Sequence, residues 1–280
     1  MFDYRTYDAV KALLQEKDYR FVVAISEHIA QCPSDSVSIL DVGAFDCRNT
    51  VALKLALEAR NVSPSIVAIE PDPTPVSKGN ARAHNIRFSP LSYQELLLQP
   101  YAVGPKTYDF ILMQNLFYHI HKSEWQTLLK HTRTLMNDGS ECVVSLVSRN
   151  CSLYAFITEF IKRHEVPDSE RTFLKHGQYV FFEDLFGNPA DFEMTEHKRF
   201  EFSSYIRLSD ANSAAFRGLS PARRASIKMS ALTRLSFFGR ISTAFLKRIE
   251  DDAFASILRA QPVEGFQTVD QITILKKLIS

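Results

Sequence analysis

Apolar and polar positions alternate in blocks along the first half of the chain. Between Ser38 and Ser148, short runs rich in Val, Ile and Leu are separated by segments whose apolar residues follow a helical period. The runs predict buried strands and the periodic segments predict amphipathic helices. Short connections between such elements favour parallel strands covered by helices on both faces. The predicted strands are SILDVG, SIVAIE, IRFS, YDFILM and ECVVSLVS.

The pattern changes after Ser148. Aromatic, helical stretches come first, followed by a pair of extended segments within DFEMTEHKRFEFSSYIRL and by helical segments near 221–235 and 240–259. The end of the chain, GFQTVDQITILKK, alternates like a closing strand. We therefore predict an α/β, doubly wound (Rossmann-like) fold with a mostly parallel seven-stranded sheet and helical cap insertions.

This reading divides the chain into four parts. Residues 1–35 are expected to form a helical lid, and residues 36–150 the sheet core. Residues 151–262 are expected to be insertions on the substrate side, with helices and a pair of strands. Residues 263–280 are expected to supply the closing strand of the sheet.

Polar residues stand at the ends of the predicted strands, where open parallel sheets bind ligands. Gly43 permits a sharp turn and a close approach of backbone to ligand, and the Glu70 carboxylate can accept hydrogen bonds from two sugar hydroxyls. A dinucleotide dehydrogenase is disfavoured, because its G-x-G-x-x-G loop would need glycines at Phe45 and Arg48. The residues gathered at these strand ends are Asp41, Gly43, Glu70, Ser92, Tyr93, Gln114, Asn115, Tyr118 and His119.

Over residues 36–148 these motifs, in this order, resemble those of the class I S-adenosylmethionine-dependent methyltransferases. The strings that carry the resemblance are ILDVGAFD, IVAIEPD, YDFILMQNLFYHI and LLKHTRTLMNDGSECVVSL. Beyond Ser148, the order of segments is similar to that of the histamine N-methyltransferase type of small-molecule enzyme, through GQYVFFEDL, DFEMTEHKRFEF and TVDQITILKK.

The resemblance implies S-adenosylmethionine as cofactor and S-adenosylhomocysteine as product. It implies an in-line transfer of the methyl group to a nitrogen or oxygen of a small molecule, with nitrogen favoured. Asp41 and Gly43 are assigned to the amino-acid part of the cofactor, Glu70 to the ribose, and Ser92 with Tyr93 to the adenine. Capping of a helix explains Ser92 equally well, and Asp41 has the alternative role of orienting the loop.

The remaining assignments concern the methyl group and its acceptor. Gln114 and Asn115 are expected to face the methyl group, and His119 is a base if the acceptor is a hydroxyl, with a surface or packing role as its alternative. Gln267 and Thr268 are polar groups available to the acceptor. Tyr118 and Tyr179 belong to a set of aromatic residues that either line the acceptor cavity or pack in the core.

The first loop departs from the family at two positions. Phe45 and Cys47 stand where further glycines are usual, and a bulky residue at positive φ is strained. Two alternatives remain open: the loop takes negative φ at these positions, or the affinity for the cofactor is reduced.

Charge adds one local feature. The 33 Lys and Arg residues nearly balance 32 Asp and Glu residues, so the whole molecule gives no basis for binding nucleic acid or an anionic surface. Within 217–248, however, eight basic residues occur with no acidic one. They suit an anionic substrate, a carrier protein, RNA or a membrane surface, or else a solvated helix face. RNA is disfavoured because no aromatic-interleaved basic platform is present.

The cysteines give no metal or disulfide signal, since the four form no C-x-x-C pair. No apolar run approaches the ~18 residues of a membrane span, and we expect a reduced, cytoplasmic protein. Two further functions stay open: a catalytically inactive S-adenosylmethionine-binding or regulatory protein, and a protein or RNA methyltransferase that uses residues 217–248. Neither the acceptor nor the oligomeric state follows from the sequence.

Overall fold

The computed structural model of the chain describes residues 18–72, 84–99, 107–170, 194–209, 216, 218–239, 241–262 and 266–277. Helix α1 covers residues 18–29. The elements that follow are β1 (Ser36–Val42), α2 (Arg48–Glu58), β2 (Ser63–Ile69), β3 (Arg87–Ser89), α3 (Tyr93–Leu98), β4 (Tyr108–Gln114), α4 (Lys122–Thr132), β5 (Met136–Val147), α5 (Ser152–Arg163), β6 (Met194–Ile206), α6 (Pro221–Gly239), α7 (Thr243–Lys247), α8 (Asp251–Ala260) and β7 (Phe266–Lys277).

The strands form one seven-stranded sheet in the order β3-β2-β1-β4-β5-β7-β6. β1 pairs in parallel with both β2 and β4, β3 adds to β2, β5 adds to β4, and β7 pairs antiparallel with β5. The prediction of a doubly wound, mostly parallel seven-stranded sheet is confirmed. The order reverses between β1 and β4, which is where ligands bind in such sheets.

The central strands are apolar on both faces because both faces are covered. Leu40 and Ile111 belong to one core cluster, and their neighbours Ile39 and Leu112 belong to the other. All four are almost completely buried. Continuous apolar runs in the sequence therefore mark strands that lie between two layers.

Two compact units make up the described chain. Residues 18–147, 194–202 and 270–277 form the sheet unit, and described residues from 148–170 and 203–269 form the other. In the second unit, the rings of Phe216 and Phe254 pack edge to face with their centroids 5.2 Å apart.

Two segments of the later half differ from their predicted form. The segment within 191–208 expected to be a pair of strands is one strand, β6, in its described part. The helix expected near 240–259 is divided into α7 and α8, because the extended backbone of Glu250 (ψ 158°) interrupts it. Among the described residues, no helix has the length and apolarity needed to cross a membrane, and no group of His, Cys, Asp and Glu suits a metal ion.

Candidate functional site

The loop between β1 and α2 is fixed to the end of β2. The backbone amides of Gly43 and Ala44 both donate hydrogen bonds to the carbonyl of Ile69, at 2.9 and 3.1 Å. Gly43 takes a φ of +74°, and a Cβ atom placed there would lie 3.2 Å from Cδ1 of Leu116. The position therefore needs glycine both for its backbone conformation and for its close approach to the residues after β4.

Phe45 and Cys47 are both left-handed, with φ of 50° and 59°. The alternative in which the loop takes negative φ at these positions is therefore wrong. Each residue bears a strain of about 1–2 kcal/mol that glycine would not have. Cys47 is fully buried and precedes the first turn of α2, so packing holds it in this conformation.

The Glu70 carboxylate lies against this loop. Its Oε2 accepts a hydrogen bond from the Phe45 amide at 3.2 Å, and its Oε1 accepts one from the Asp72 amide at 3.2 Å. Burial raises the pKa of Glu70, and the two amide bonds offset part of that effect. Because a carboxylate oxygen can accept two hydrogen bonds, each oxygen keeps a lone pair for a ligand hydroxyl.

Asp41 is buried at the end of β1 and binds the first turn of α2. The Thr50 hydroxyl donates to its Oδ2 at 2.5 Å. Burial raises the pKa of Asp41 to about 6, while the Thr50 bond opposes this shift and the charge of Glu70 adds to it. The side chain thus fixes the first turn of the helix that follows the loop.

Gln114 connects the end of β4 to two helices. Its Oε1 accepts from Nδ2 of Asn49 on α2 at 2.8 Å, and its Nε2 donates to Oδ1 of Asp18 on α1 at 3.4 Å. The sequence analysis missed Asn49 and Thr50. Their position in the first helical turn after the glycine loop is the signal that would have found them.

Asn115 carries an unused acceptor. It is left-handed, with a φ of 56°, and its amide donates to the carbonyl of Ser145 at 3.0 Å. Its Oδ1 is buried and has no hydrogen-bond partner among the described residues. A buried carbonyl oxygen without a donor is costly, so this atom is suited to an N–H or O–H of a ligand.

Tyr118 and His119 follow in the short 3₁₀ helix Leu116–His119. The Tyr118 hydroxyl accepts a hydrogen bond from the amide of Val147 at 3.1 Å, which links it to the end of β5. His119 is exposed. An exposed imidazole has free access to water for proton exchange.

The side-chain hydroxyls of Ser92 and Tyr93 form hydrogen bonds within the fold. Ser92 caps α3 in a reciprocal arrangement with Glu95, which is the helix-capping alternative. Tyr93 is 3% exposed, and its hydroxyl bonds Oγ1 of Thr132 at 2.5 Å in the core. Burial raises the pKa of Tyr93 above its ordinary value.

Two of the predicted acceptor residues, Gln267 and Thr268, are among the described residues. Gln267 and Thr268 belong to the second unit, where Nε2 of Gln267 donates to Oγ of Ser203 at 2.9 Å and Thr268 is buried. Tyr179 lies outside the described residues. The residues that the structure does bring together are Asp41, Gly43, Glu70, Gln114 and Asn115, at the carboxyl ends of β1, β2 and β4.

No protein-family model matches the chain, and no curated protein matches it. Several solved structures do match the chain. A protein described as a candidate sarcosine dimethylglycine methyltransferase of Galdieria sulphuraria is 14% identical, with a TM-score of 0.52 over 94% of this chain and 88% of that one. YcgJ of Bacillus subtilis is 12% identical, with a TM-score of 0.51 over 94% of this chain and 100% of that one.

The cyclase SpnF is 15% identical, with a TM-score of 0.53 over 99% of this chain and 95% of that one. At such identities the likeness establishes the fold and leaves the reaction open. The chain has the Rossmann-like methyltransferase fold. Its mostly parallel sheet has its switch point between β1 and β4, and the whole matches these structures.

Proposed function

We propose that the chain binds S-adenosylmethionine at the carboxyl ends of β1, β2 and β4 and transfers the methyl group to a small molecule. One observation carries this proposal. The Glu70 carboxylate meets the Gly43 loop, with its Oε2 3.2 Å from the Phe45 amide nitrogen. This pairing suits a nucleoside, because its sugar hydroxyls need a carboxylate acceptor at the carboxyl end of a strand, beside the turn that Gly43 makes.

The residues present fit the cofactor. Gly43 makes the turn after β1 with a φ of +74°, where a Cβ atom would lie 3.2 Å from Cδ1 of Leu116. Glu70 keeps two acceptor positions for the ribose hydroxyls. The buried Oδ1 of Asn115 is available to an N–H donor. Asp41, assigned to the amino-acid part, acts through Thr50 on the helix that begins after the loop.

The chemistry divides between cofactor and protein. When bound, S-adenosylmethionine supplies a methyl group that its own positive sulfur activates. The protein holds the acceptor in line and excludes water, effects worth roughly 7–11 kcal/mol. Gln114 is fixed by Asn49 and Asp18, so the end of β4 is rigid where the acceptor approaches.

We favour a nitrogen acceptor. Oδ1 of Asn115 accepts a hydrogen bond from an N–H group of a neutral amine. This bond directs the lone pair of the amine nitrogen away from Asn115. No side chain has to remove a proton before the amine attacks, because the product ammonium loses its proton to water. An oxygen acceptor would need a base, and His119 is the candidate for that role. The name of the Galdieria protein, which refers to two amines, supports nitrogen.

The same proposal includes an enzyme of the histamine N-methyltransferase type and a cytoplasmic location. It also includes roles on the acceptor side for Tyr118, Tyr179, Gln267 and Thr268. The four cysteines are free thiols, which supports a reducing compartment. The name of SpnF supports a second candidate, a protein of this fold that does not transfer a methyl group.

Two measurements separate these functions. Calorimetric titration with S-adenosylhomocysteine measures whether the site binds. In unfolding experiments, ligand at 100 times its Kd is expected to raise the free energy of unfolding by about 2.7 kcal/mol. Incubation with S-adenosylmethionine labelled in the methyl group, together with a panel of amines, phenols and carboxylates, tests transfer. Binding with a labelled amine product supports the proposal. Binding without any labelled product would favour the second candidate, and absence of binding would exclude both.

A further inference from the structure

The side-chain amide of Gln114 links two helices at the end of β4. Nδ2 of Asn49, in the first turn of α2, donates a hydrogen bond to Oε1 of Gln114 at 2.8 Å. Nε2 of Gln114 donates in turn to Oδ1 of Asp18 on α1 at 3.4 Å. All three side chains are half-buried and belong to the sheet unit. They form a chain of hydrogen bonds that runs from α2 across the end of β4 to α1.

Asp18 fixes the direction of this chain of hydrogen bonds. An ionised carboxylate accepts hydrogen bonds and cannot donate one, so Gln114 turns its NH2 group, and not its oxygen, toward α1. The Gln114 oxygen then faces α2, where only a donor can pair with it, and Asn49 supplies that donor. One charged acceptor therefore sets the orientation of two amide groups whose oxygen and nitrogen ends have almost the same shape.

We propose that Asn49 is a positioning residue for methyl transfer, which acts on the acceptor through the orientation of the Gln114 amide. This inference rests on the proposed function of the strand-end site. Asn49 is the second residue of α2, directly after the glycine loop. It holds the Gln114 oxygen on the α2 side, and this oxygen keeps a second lone pair for a ligand.

The orientation matters because the two ends of an amide act on an amine in opposite ways. An amide oxygen accepts a hydrogen bond from an N–H group of a neutral amine and leaves the nitrogen lone pair available to attack the methyl group. An amide NH2 group donates to that lone pair and so competes with the attack. A reversed Gln114 amide would therefore slow the transfer even if every hydrogen bond within the protein were kept.

The first turn of α2 is anchored on both sides of Asn49. The Thr50 hydroxyl donates to Oδ2 of the buried Asp41 at 2.5 Å. The Arg48 amide donates to Oδ1 of Asp46 at 3.2 Å. Asn49 thus presents its donor from a fixed turn, which positioning requires because small errors in the placement of a reacting group cost much of the rate.

Two substitutions of Asn49 separate positioning from packing. Asn49→Asp keeps the shape of the side chain but cannot donate, so the Gln114 oxygen faces a second carboxylate or turns away. Asn49→Ala removes the contact and leaves Asp18 to orient Gln114. At saturating S-adenosylmethionine, kcat/KM for an amine is expected to fall about tenfold or more in Asn49→Asp and about threefold in Asn49→Ala. A packing role predicts the reverse order.

The double variant Asp18→Asn/Asn49→Asp reverses the chain of hydrogen bonds at unchanged net charge. The carboxylate introduced at position 49 accepts from Nε2 of Gln114, and the amide introduced at position 18 donates to Oε1. In urea unfolding without ligand, the two single variants and the double variant are expected to show a favourable coupling of about tenfold in the folding equilibrium constant. The double variant should nevertheless keep a kcat/KM about tenfold below that of the unmodified chain, because its Gln114 amide is reversed.

Asn61→Asp is the matched control. Asn61 is exposed beyond the other end of α2, and the substitution adds the same charge without touching Gln114, so kcat/KM is expected to stay within about twofold. If Asn49→Asp does not fold and the double variant does, that recovery is the expected coupling in its strongest form, and the kinetics of the double variant decide the positioning role.

Three results would overturn the proposal: a larger loss of transfer in Asn49→Ala than in Asn49→Asp, additive effects of the two substitutions on stability, or recovery of transfer together with stability in the double variant. In each of these cases the unmodified chain still transfers the methyl group, so the proposed function stands. Absence of transfer by the unmodified chain would overturn the proposed function and the positioning role together.

Discussion

The backbone amide of Phe45 donates a hydrogen bond to Oε2 of Glu70, with the two atoms 3.2 Å apart. The donor is left-handed, and the acceptor is a carboxylate at the end of β2. A strained loop residue and a half-buried acid therefore hold each other in place. Any ligand that hydrogen-bonds to this carboxylate also meets the loop.

Replacing Glu70 with Gln should weaken S-adenosylhomocysteine binding about tenfold or more. The amide loses the negative charge and one acceptor oxygen, and hydrogen bonds to charged groups are worth about 1.5–3 kcal/mol. Calorimetry at pH 7.5 measures the change. Glu58→Gln is the control, because Glu58 pairs with Lys54 on the surface of α2. Equal affinities of Glu70→Gln and the unmodified chain would remove the ribose assignment.

Phe45→Gly should be more stable than Phe45→Ala by about 1 kcal/mol. Both changes remove the ring, but only glycine adopts a φ of 50° without strain, and its greater entropy when unfolded offsets part of the gain. Urea unfolding of the two variants measures the difference. If Phe45→Ala has the higher free energy of unfolding, the left-handed backbone at Phe45 is not strained.

The strand-end positions of Asp41, Glu70 and Gln114 could be predicted from the sequence because buried parallel strands are visible as apolar runs. The positive φ angles of Phe45 and Cys47 could not be predicted, since local preference favours negative φ. The loop is held by hydrogen bonds to the Ile69 carbonyl, which is distant in the sequence.

Side-chain direction was the weaker part of the sequence prediction. The sequence predicts Tyr93 at the adenine, whereas the start of α3 at this residue turns its ring into the core. The partners of Gln114, Asn49 and Asp18, come from helices whose packing the sequence pattern does not specify. Such contacts depend on tertiary structure, which strand periodicity leaves open.

Asn115→Ala should reduce methyl transfer to an amine about two- to tenfold. It removes the buried acceptor oxygen, and a neutral hydrogen bond contributes about 0.5–1.5 kcal/mol. The control is Asn61→Ala, since Asn61 is also left-handed, with a φ of 61°, and precedes β2. Both variants bear the same backbone strain, so only Asn115→Ala should lower kcat/KM. An equal loss in the two variants would assign the effect to stability.

Tyr93→Phe should lower the free energy of unfolding by about 0.5–1.5 kcal/mol and leave S-adenosylhomocysteine affinity within about twofold. The lost hydroxyl bonds Thr132, whose own hydroxyl still donates to the Leu128 carbonyl at 2.7 Å. Urea unfolding and calorimetry on the same sample measure the two quantities. A large loss of affinity with unchanged stability would return Tyr93 to the adenine site.

Asp41→Asn should flatten the dependence of stability on pH. Burial raises the pKa of Asp41 from 3.8 to about 6 in the folded chain, so folding favours the protonated acid. That contribution is complete below about pH 4 and is lost as the pH rises through 6. The unmodified chain should therefore lose roughly 2 kcal/mol relative to Asp41→Asn between pH 4 and pH 7. This is less than the full difference at about 1.36 kcal/mol per pKa unit, because the unfolded acid is already partly ionised at pH 4. Thr50→Val, which removes the hydroxyl that stabilises the carboxylate, should make the loss larger. Urea unfolding at pH 4 and pH 7 measures both effects, and parallel stability curves for the unmodified chain and Asp41→Asn would show that this carboxyl titrates normally.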